Sequence, residues 1–551
     1  MQKYPYLPGV EQYVTDGGTR VTINNALPAA LIFGWTSQDA FADGTPIIFN
    51  EPYPIPNSAF LASAFTTSSD LLNASQDFFM GCTGDGNTAT AVPVLVRIGY
   101  PTKTFVPTGV LKDKKGSTVS GAGIATCAVK EITTDEGYTG RWNGKVRIVI
   151  IDAPEAATAL TGGKAAVSFD GGLTYEYGFE SIDLSGTSFD ISVPSIGLTF
   201  TISVAAETPV ALSDGYYFEV TVTYASAPDT NDKMYKALSD AYRMLEGYDA
   251  SYAVVSGAYA DSTLTATAIT YLDETDIDSA AESHTQLSFA YQLARFCYDN
   301  SSLAKQCLGF IGVEEPTDYG YVPMNSWIDT LSSAIPDMYK TTTDIMGGEE
   351  LTDAEGSLID IGKNISIVVG HGIVQGKTGK RNAAPYVAGY TSSMPLGYGP
   401  ARTRINRFRL GYDITMAQAN TLAEGRMTPL FTQREVTGLA TYIVTGRTAA
   451  GEDSSFTKIS TVRVVNHTLN NLREIANRFI GKPNSMLYIE AMKTEMQSFL
   501  DGSAEQGLFE TADVQVAPSA GRQIGSIDVY VDIRAYTEIR DVRIYARFEY
   551  V

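Results

Sequence analysis

Hydrophobic and polar positions change their period along the chain, and the changes divide it. Residues 30–34, 45–49 and 92–98 are apolar runs that predict buried strands, and 59–65 and 71–81 predict short helices, so 26–100 reads as a small α/β stretch. From 101 to 227 short Val/Ile/Phe/Tyr runs alternate with Gly, Asp, Ser and Thr. Strands are predicted at 146–151, 165–169, 188–193, 199–204 and 216–224, with turns at Asp170-Gly171-Gly172 and Asp214-Gly215, which describes an all-β domain. From 231 a helical period takes over: Met234, Leu238, Ala241 and Leu245 form one stripe. Helices at 284–298 and 326–339 alternate with strands at 252–255, 306–313 and 365–370, the pattern of an α/β sheet. Beyond 410, residues 414–424, 469–479 and 484–499 read as helices, and 438–445, 461–465, 514–516 and 526–533 as strands.

Both ends read as extended arms. In 541–551, Val542, Ile544, Ala546, Phe548 and Tyr550 fall on one face of a strand, and Arg543, Tyr545, Arg547 and Glu549 on the other. A strand cannot stand alone, because its backbone N–H and C=O groups need partners. This one must pair with a sheet in its own subunit or in a neighbour's. At the start, Pro5 and Pro8 oppose a helix, and Val14, Val21 and Ile23 lie in short extended runs around Asp16-Gly17-Gly18. The expected fold is therefore α+β and multidomain. It has an N-terminal arm (1–25), the first part of an α/β core (26–100), an inserted, protruding all-β domain (101–227), an α/β middle domain (228–400), a C-terminal core domain (401–534) and a C-terminal β-arm (535–551).

Composition narrows the function classes. The net charge is −22 and the pI about 4.6, which opposes general binding to nucleic acid, since phosphate contact needs a basic surface. Cys82, Cys127, Cys297 and Cys307 show no metal or redox spacing and read as buried residues of a reducing compartment. The start lacks the pattern of a signal peptide, and no apolar run has the length of a membrane span. The expected protein is soluble and made in a cytoplasm.

Candidate chemistry is sparse. His284, His371 and His467 are scattered, with His371 at the end of a predicted strand. Gly376-Lys377-Thr378-Gly379-Lys380 has neither the spacing nor the following helix of a phosphate loop. Asp273, Glu274, Asp276 and Asp278 lack the tight glycine turn of a Ca²⁺ loop. The expectation is no enzyme, no cofactor and no metal. One charge feature remains: between 401 and 482 twelve Lys/Arg face six Asp/Glu, so the rest of the chain carries −28. A basic segment in an acidic protein suggests complementary surfaces that meet.

Several motifs, in order, resemble contractile tail sheath proteins of myovirus-type bacteriophages. They are Pro8-Gly9-Val10, Phe78-Phe79-Met80-Gly81 before Val94-Leu95-Val96-Arg97, and Gly140-Arg141-Trp142-Asn143-Gly144. Further on come Ala384-Pro385-Tyr386-Val387-Ala388-Gly389-Tyr390, Gly397-Tyr398-Gly399-Pro400-Ala401, the stretch 418–428, Gly446-Arg447-Thr448 and Thr461-Val462-Arg463-Val464-Val465. The resemblance covers both flanks and leaves 101–227 aside. It implies a structural subunit that polymerises as stacked rings around a tail tube and contracts to drive the tube through the host envelope. The implied partners are further copies of the chain, joined by the arms, together with tail tube, baseplate and tail terminator proteins. The implied place is the virion tail, assembled in the host cytoplasm. Arg473, Arg478 and Lys482 are the candidate tube-facing residues. A sheath of a phage-derived injection system (a tailocin) is the alternative within the class. A β-rich surface or carbohydrate-binding protein is the alternative outside it.

Overall fold

The computed structural model describes residues 29–536 apart from 46, 84–90, 133–142, 170, 173, 206–208, 263, 265–287, 304, 343–348, 354–355, 436–437 and 519–526. The predicted arm residues Val14, Val21, Ile23, Val542, Ile544, Ala546, Phe548 and Tyr550 lie outside the described residues, as does the acidic loop at 273–278.

The first elements are Ala29–Gly34 (β1), Pro52–Pro54 (β2), Ser58–Ala64 (α1), Asp70–Thr83 (α2) and Val92–Arg97 (β3). Residues 45–49, expected as a strand, form none among the described residues. Their backbone is satisfied in other ways: Arg97 donates to Ile47 O at 2.9 Å, Tyr53 Oη accepts from Ile48 N at 2.9 Å, and Ile47 N bonds Asp39 O. Ile47 and Phe49 are still buried, so the apolar run was core without being strand.

Residues 100–226 then build a sheet of their own. It contains Tyr100–Phe105 (β4), Thr108–Lys112 (β5), Thr126–Glu131 (β6), Asn143–Asp152 (β7), Lys164–Ser168 (β8), Ile182–Asp183 (β9), Ser188–Val193 (β10), Leu198–Ser203 (β11) and Tyr217–Ser226 (β12). The order is β10-β11-β6-β5-β12-β7-β8-β9, with β4 also on β12. Alternation sets the buried face: Val146, Ile148 and Ile150 of β7, Leu198, Phe200 and Ile202 of β11, and Phe218, Val220 and Val222 of β12 share one core. β5 pairs with both β6 and β12, which joins the strands that line that core into one sheet.

The chain continues with Asn231–Met244 (α3), Tyr252–Tyr259 (β13), Phe289–Ser302 (α4), Leu308–Gly312 (β14), Tyr321–Ala334 (α5), Ile365–Val369 (β15), His371–Val374 (β16) and Arg381–Asn382 (β17). Then come Ala384–Ser393 (α6), Thr403–Ile405 (β18), Phe408–Leu410 (β19), Met416–Glu424 (α7), Thr428–Glu435 (β20) and Gly438–Ile443 (β21). The helix expected at 326–339 sits earlier, because Ile335 precedes Pro336 and is held extended at φ −98°. β1 and β3 join these later strands in one sheet, ordered β18-β21-β20-β15-β14-β13-β1-β3-β2, whose middle is parallel. On one side Phe33 of β1 meets Tyr242 of α3 at 5.0 Å and Phe296 of α4 at 5.7 Å between ring centroids. Helices α2 and α6 cross at glycines: a Cβ on Gly81 would stand 2.2 Å from Tyr386 O, and one on Gly389 2.1 Å from Phe78 O. Beside that crossing the buried Asp77 meets Arg381 at 2.9 Å. Burial pushes the Asp77 carboxyl up to about 6, against the pull of Arg381 and Lys377.

Strand order reverses around β1, the place where open α/β sheets usually bind ligands. Here α2 closes the crevice. Leu71 backbone atoms lie within 3.0 Å of a Cβ position on Gly34, and the Asp70 carboxyl comes to 3.4 Å from one on Gly257. A carboxylate in that position opposes a phosphate.

The last elements are Ile459–Asn477 (α8), Met486–Glu505 (α9), Phe509–Pro518 (β22) and Ile527–Ala535 (β23). The strand expected at 461–465 is the first part of α8. Its β-branched run was misleading, because Ile459, Val462 and Val465 face the central core at helical spacing while Val464, Leu472 and Ile475 face a second cluster on α9 and β22.

Candidate intersubunit surfaces

The C-terminal unit is built on a two-stranded sheet. β22 and β23 run antiparallel, with register from Phe509↔Ala535 to Pro518↔Ile527. Ala512, Val514 and Val516 of β22 face α9 together with Val529, Val531 and Ile533 of β23. Thr511, Asp513, Gln515, Tyr530, Asp532 and Arg534 face out. Cover is uneven. Phe509 and Val514 are fully buried, whereas the apolar row of β23 is only half-buried.

The two outer edges also differ. Gln497 of α9 donates to Ala512 O at 3.0 Å and accepts from Val514 N at 3.0 Å. Its amide thus occupies two backbone groups of β22 that a further strand would use. No strand borders the outer edge of β23 among the described residues. Sequence pattern gave no sign of this difference, since Gln497 is one polar residue on an amphipathic helix.

The candidate tube-facing residues separate. Arg478 and Lys482 lie on the turn between α8 and α9. Arg478 is exposed and pairs with Glu495 of α9. Lys482 is exposed, with its ammonium 4.4 Å from the Phe479 ring centroid and 5.6 Å from that of Tyr488. Ile480, Met486 and Leu487 are exposed beside them, so this tip is apolar as well as basic. Arg473 lies five residues before Arg478, about 140° away around the helix. It is half-buried; burial lowers its pKa and Asp249 acts the other way.

The basic segment is largely consumed within the fold. Arg463 is buried and donates to the carbonyls of Met394, Pro395 and Tyr398, pinning the end of α6. Arg426 pairs with Asp337 and donates to Ile335 O, Arg447 donates to Ala423 O, and Arg404 pairs with Glu435. Counting charges along the chain cannot tell a carbonyl-capping arginine from a docking one.

His371 is buried next to Asn382, 3.3 Å from its amide, and His467 is shielded within α8. Burial lowers both pKa values to about 4, so both are neutral at ordinary pH. Gly376 and Gly379 take positive φ in the connection from β16 to β17, a turn and not a phosphate cradle. Among the described residues no group of three or more His, Cys, Asp or Glu is placed to hold a metal, and no helix is long and apolar enough to cross a membrane.

No family model matches the chain, and no curated protein matches it. Among solved structures it is similar to a sheath tail protein of Desulfitobacterium hafniense, at 10% identity over 96% of this chain and 100% of that one, with a TM-score of 0.41. It is similar to a sheath tail protein of Listeria innocua, at 10% identity over 94% and 96%, with a TM-score of 0.44. It is also similar to the sheath of an extracellular contractile injection system, PVC, in its contracted state, at 9% identity over 99% and 98%, with a TM-score of 0.44.

Proposed function

We propose that the chain is the structural subunit of a contractile phage tail sheath. Copies stack as rings around a tail tube and contract to drive it through the host envelope. The observation that carries this reading is the unfinished β22–β23 sheet, whose apolar row on β23 is half-covered and whose outer edge is open among the described residues. It stands just before a tail, 541–551, whose alternation demands a sheet. A hairpin of this kind is marginal alone and is completed by adding strands. The order of sheath-like motifs along both flanks supports the same reading.

In this reading Val542, Ile544, Ala546, Phe548 and Tyr550 of one copy, and Val14, Val21 and Ile23 of another, supply strands to neighbours. The contact is heterologous, so it propagates into an open helical assembly. Each arm loses conformational entropy on docking, and the mesh holds because linked arms raise one another's effective concentration. The arms (1–25 and 535–551) flank a core of 26–100, 228–400 and 401–534, from which the all-β domain at 101–227 protrudes. Arg478 and Lys482, with the apolar tip around them, face the tube; Arg473 belongs to the opposite side of α8. Baseplate and tail terminator proteins bound the polymer, which forms in the host cytoplasm and resides in the virion tail. The role is mechanical, without catalysis, cofactor or metal.

Electron microscopy of the purified full chain tests this. The expected result is hollow tubes that exist in long and short forms. A chain lacking 541–551 is expected to fold and to build no tubes. A full-length chain that stays monomeric under all assembly conditions overturns the reading. Tubes from the truncated chain return the last strand to its own subunit.

A further inference from the structure

The outer face of the β-rich unit carries a built basic cluster on strands β5, β12 and β7. Its centre is Glu219, whose side chain is only 7% exposed. Lys112 Nζ lies 2.7 Å from it, Lys145 Nζ 3.0 Å and Arg147 Nη2 3.1 Å. One carboxylate cannot neutralise three cations, and it holds them in fixed positions. Arg147 also stacks on Tyr217, 4.5 Å from the ring centroid, and donates to Gly171 O. The stem of Lys114 lies against Gly215, next to Tyr217 along the same edge, and Lys115 follows it. Both are exposed, and neither has a carboxylate partner among the described residues. Asp113 is occupied in the turn, accepting from Lys115 N and Ser117 N. Five cations against Asp113, Glu219 and the exposed Asp214 beside Gly215 leave a surplus of two positive charges. Val110, 43% exposed, sits directly across from Glu219 and gives the cluster an apolar spot.

The same unit carries the complement further along the sheet, from the end of β7 across β8 to β9. Asp152 and Asp183 flank Lys164 from the two neighbouring strands. Glu155 lies against Gly162 just before Lys164, and Glu180 just before β9. All four acids are exposed, and among the described residues the one close cation contact is Lys164 to Asp183 at 4.0 Å. This edge has a surplus of three negative charges.

We infer that these two surfaces dock on each other between copies of the chain, the Glu219-centred basic face of one on the acidic β8–β9 edge of the next. The inference rests on the sheath reading and adds a contact independent of the arms. Because the two surfaces differ, the contact is heterologous and repeats in one direction, as a helical polymer requires. The pre-positioned cations reduce the ordering cost of docking, and the opposite charges set register and rate. The chain as a whole is acidic at −22, so copies repel except where such a basic face meets an acidic edge.

The test uses the full-length chain and reads tube assembly by sedimentation across a salt series. Lys114→Glu/Lys115→Glu leaves the Glu219 cluster intact. It is expected to raise the protein concentration needed for assembly about ten-fold at low salt and to flatten the salt dependence. Glu155→Lys/Asp183→Lys is expected to do the same, and combining the two pairs to restore assembly. Lys145→Gln, with unchanged melting, serves as a milder second variant and is expected to shift the same curve less. Unchanged assembly in both Lys variants overturns the contact while leaving the sheath reading intact. Failure of the combined variant to regain assembly overturns the pairing of these two surfaces. Binding of dextran sulfate that is lost in the Lys variants while assembly is unchanged assigns the face to an anionic polymer instead. A wild-type chain that never forms tubes removes both the sheath reading and this contact.

Discussion

The β-rich unit at 100–226 and the C-terminal unit on β22–β23 are both antiparallel, and they solve the problem of an exposed sheet in opposite ways. The first has nine strands among the described residues, and Val146, Ile148, Leu198, Phe200 and Phe218 are fully buried. The second has, among the described residues, two strands, one helix-facing row and a half-covered β23. A closed core is complete within one chain. A half-covered row with an open edge is stable only in so far as something else finishes it. The contrast shows one region complete in itself and the other unfinished among the described residues.

Truncation should therefore cost very different amounts in the two regions. Phe218 is fully buried, so Phe218→Ala is expected to destabilise the β-rich unit by about 3–5 kcal/mol, in monomer and polymer alike. Hydrogen exchange of the β7 and β12 amides is the suitable measurement, because a chain with several cores does not unfold in two states. Equal losses of protection in β7 and in β23 would contradict the separation of the two cores.

The next effect depends on pH. Burial works against the Glu219 charge, but hydrogen bonds from Lys112 and Lys145 outweigh it together and hold the pKa at about 2, below its ordinary 4.5. A depressed carboxyl pKa contributes stability that is present above pH 4.5 and lost as pH falls toward 2, here about 3 kcal/mol. Exchange in β7 and β12 should speed up across that window. In Glu219→Gln the unit should be weaker at pH 7 and lose less on acidification. The β22–β23 amides should not follow this titration.

Smaller still is the monomer cost of Val531→Ala, about 1 kcal/mol, since the row it belongs to is half-buried. In the sheath reading the same change costs more once tubes form, because the arm then covers it. Thermal melting of the monomer beside the critical concentration of assembly separates the two. A large monomer effect would mean that β23 is already finished within its own subunit.

How much of this was legible in the sequence follows from what each element asks of its residues. In the β-rich unit alternation decides burial, and β10 falls at 188–193 where the pattern placed it. In α8 local preference pointed the wrong way: Thr461-Val462-Arg463-Val464-Val465 is β-branched, and only packing against two different cores makes it helical. Ile47 and Phe49 of the expected strand at 45–49 are buried outside any described strand, and the backbone of Ile47 and Ile48 is bonded by Arg97, fifty residues on, and by nearby Tyr53. Charge along the basic segment could not show that Arg463, Arg426 and Arg447 cap carbonyls inside the fold, because burial and capping are tertiary facts. Of the three candidate tube-facing cations, helical spacing alone could have set Arg473 apart from Arg478.

An effect of similar size is expected at Gln497, and it bears most directly on which edge of the hairpin stays open. Its amide makes two 3.0 Å bonds to Ala512 O and Val514 N, and a 2.8 Å bond to Asp501. Gln497→Ala removes the two backbone bonds and exposes those groups to water, where solvent replaces most of their value, so the monomer should lose about 0.5–1.5 kcal/mol. The second consequence is geometric. With the amide gone, both edges of the hairpin can accept a strand, and the variant should form disordered aggregates alongside tubes. Gln497→Glu keeps the length and the acceptor but not the donor, so it should retain the bond from Val514 N and lose the one to Ala512 O. If Gln497→Ala assembles into tubes as uniform as the wild type, the amide is not guarding the edge, and β22 is as available to a neighbour as β23.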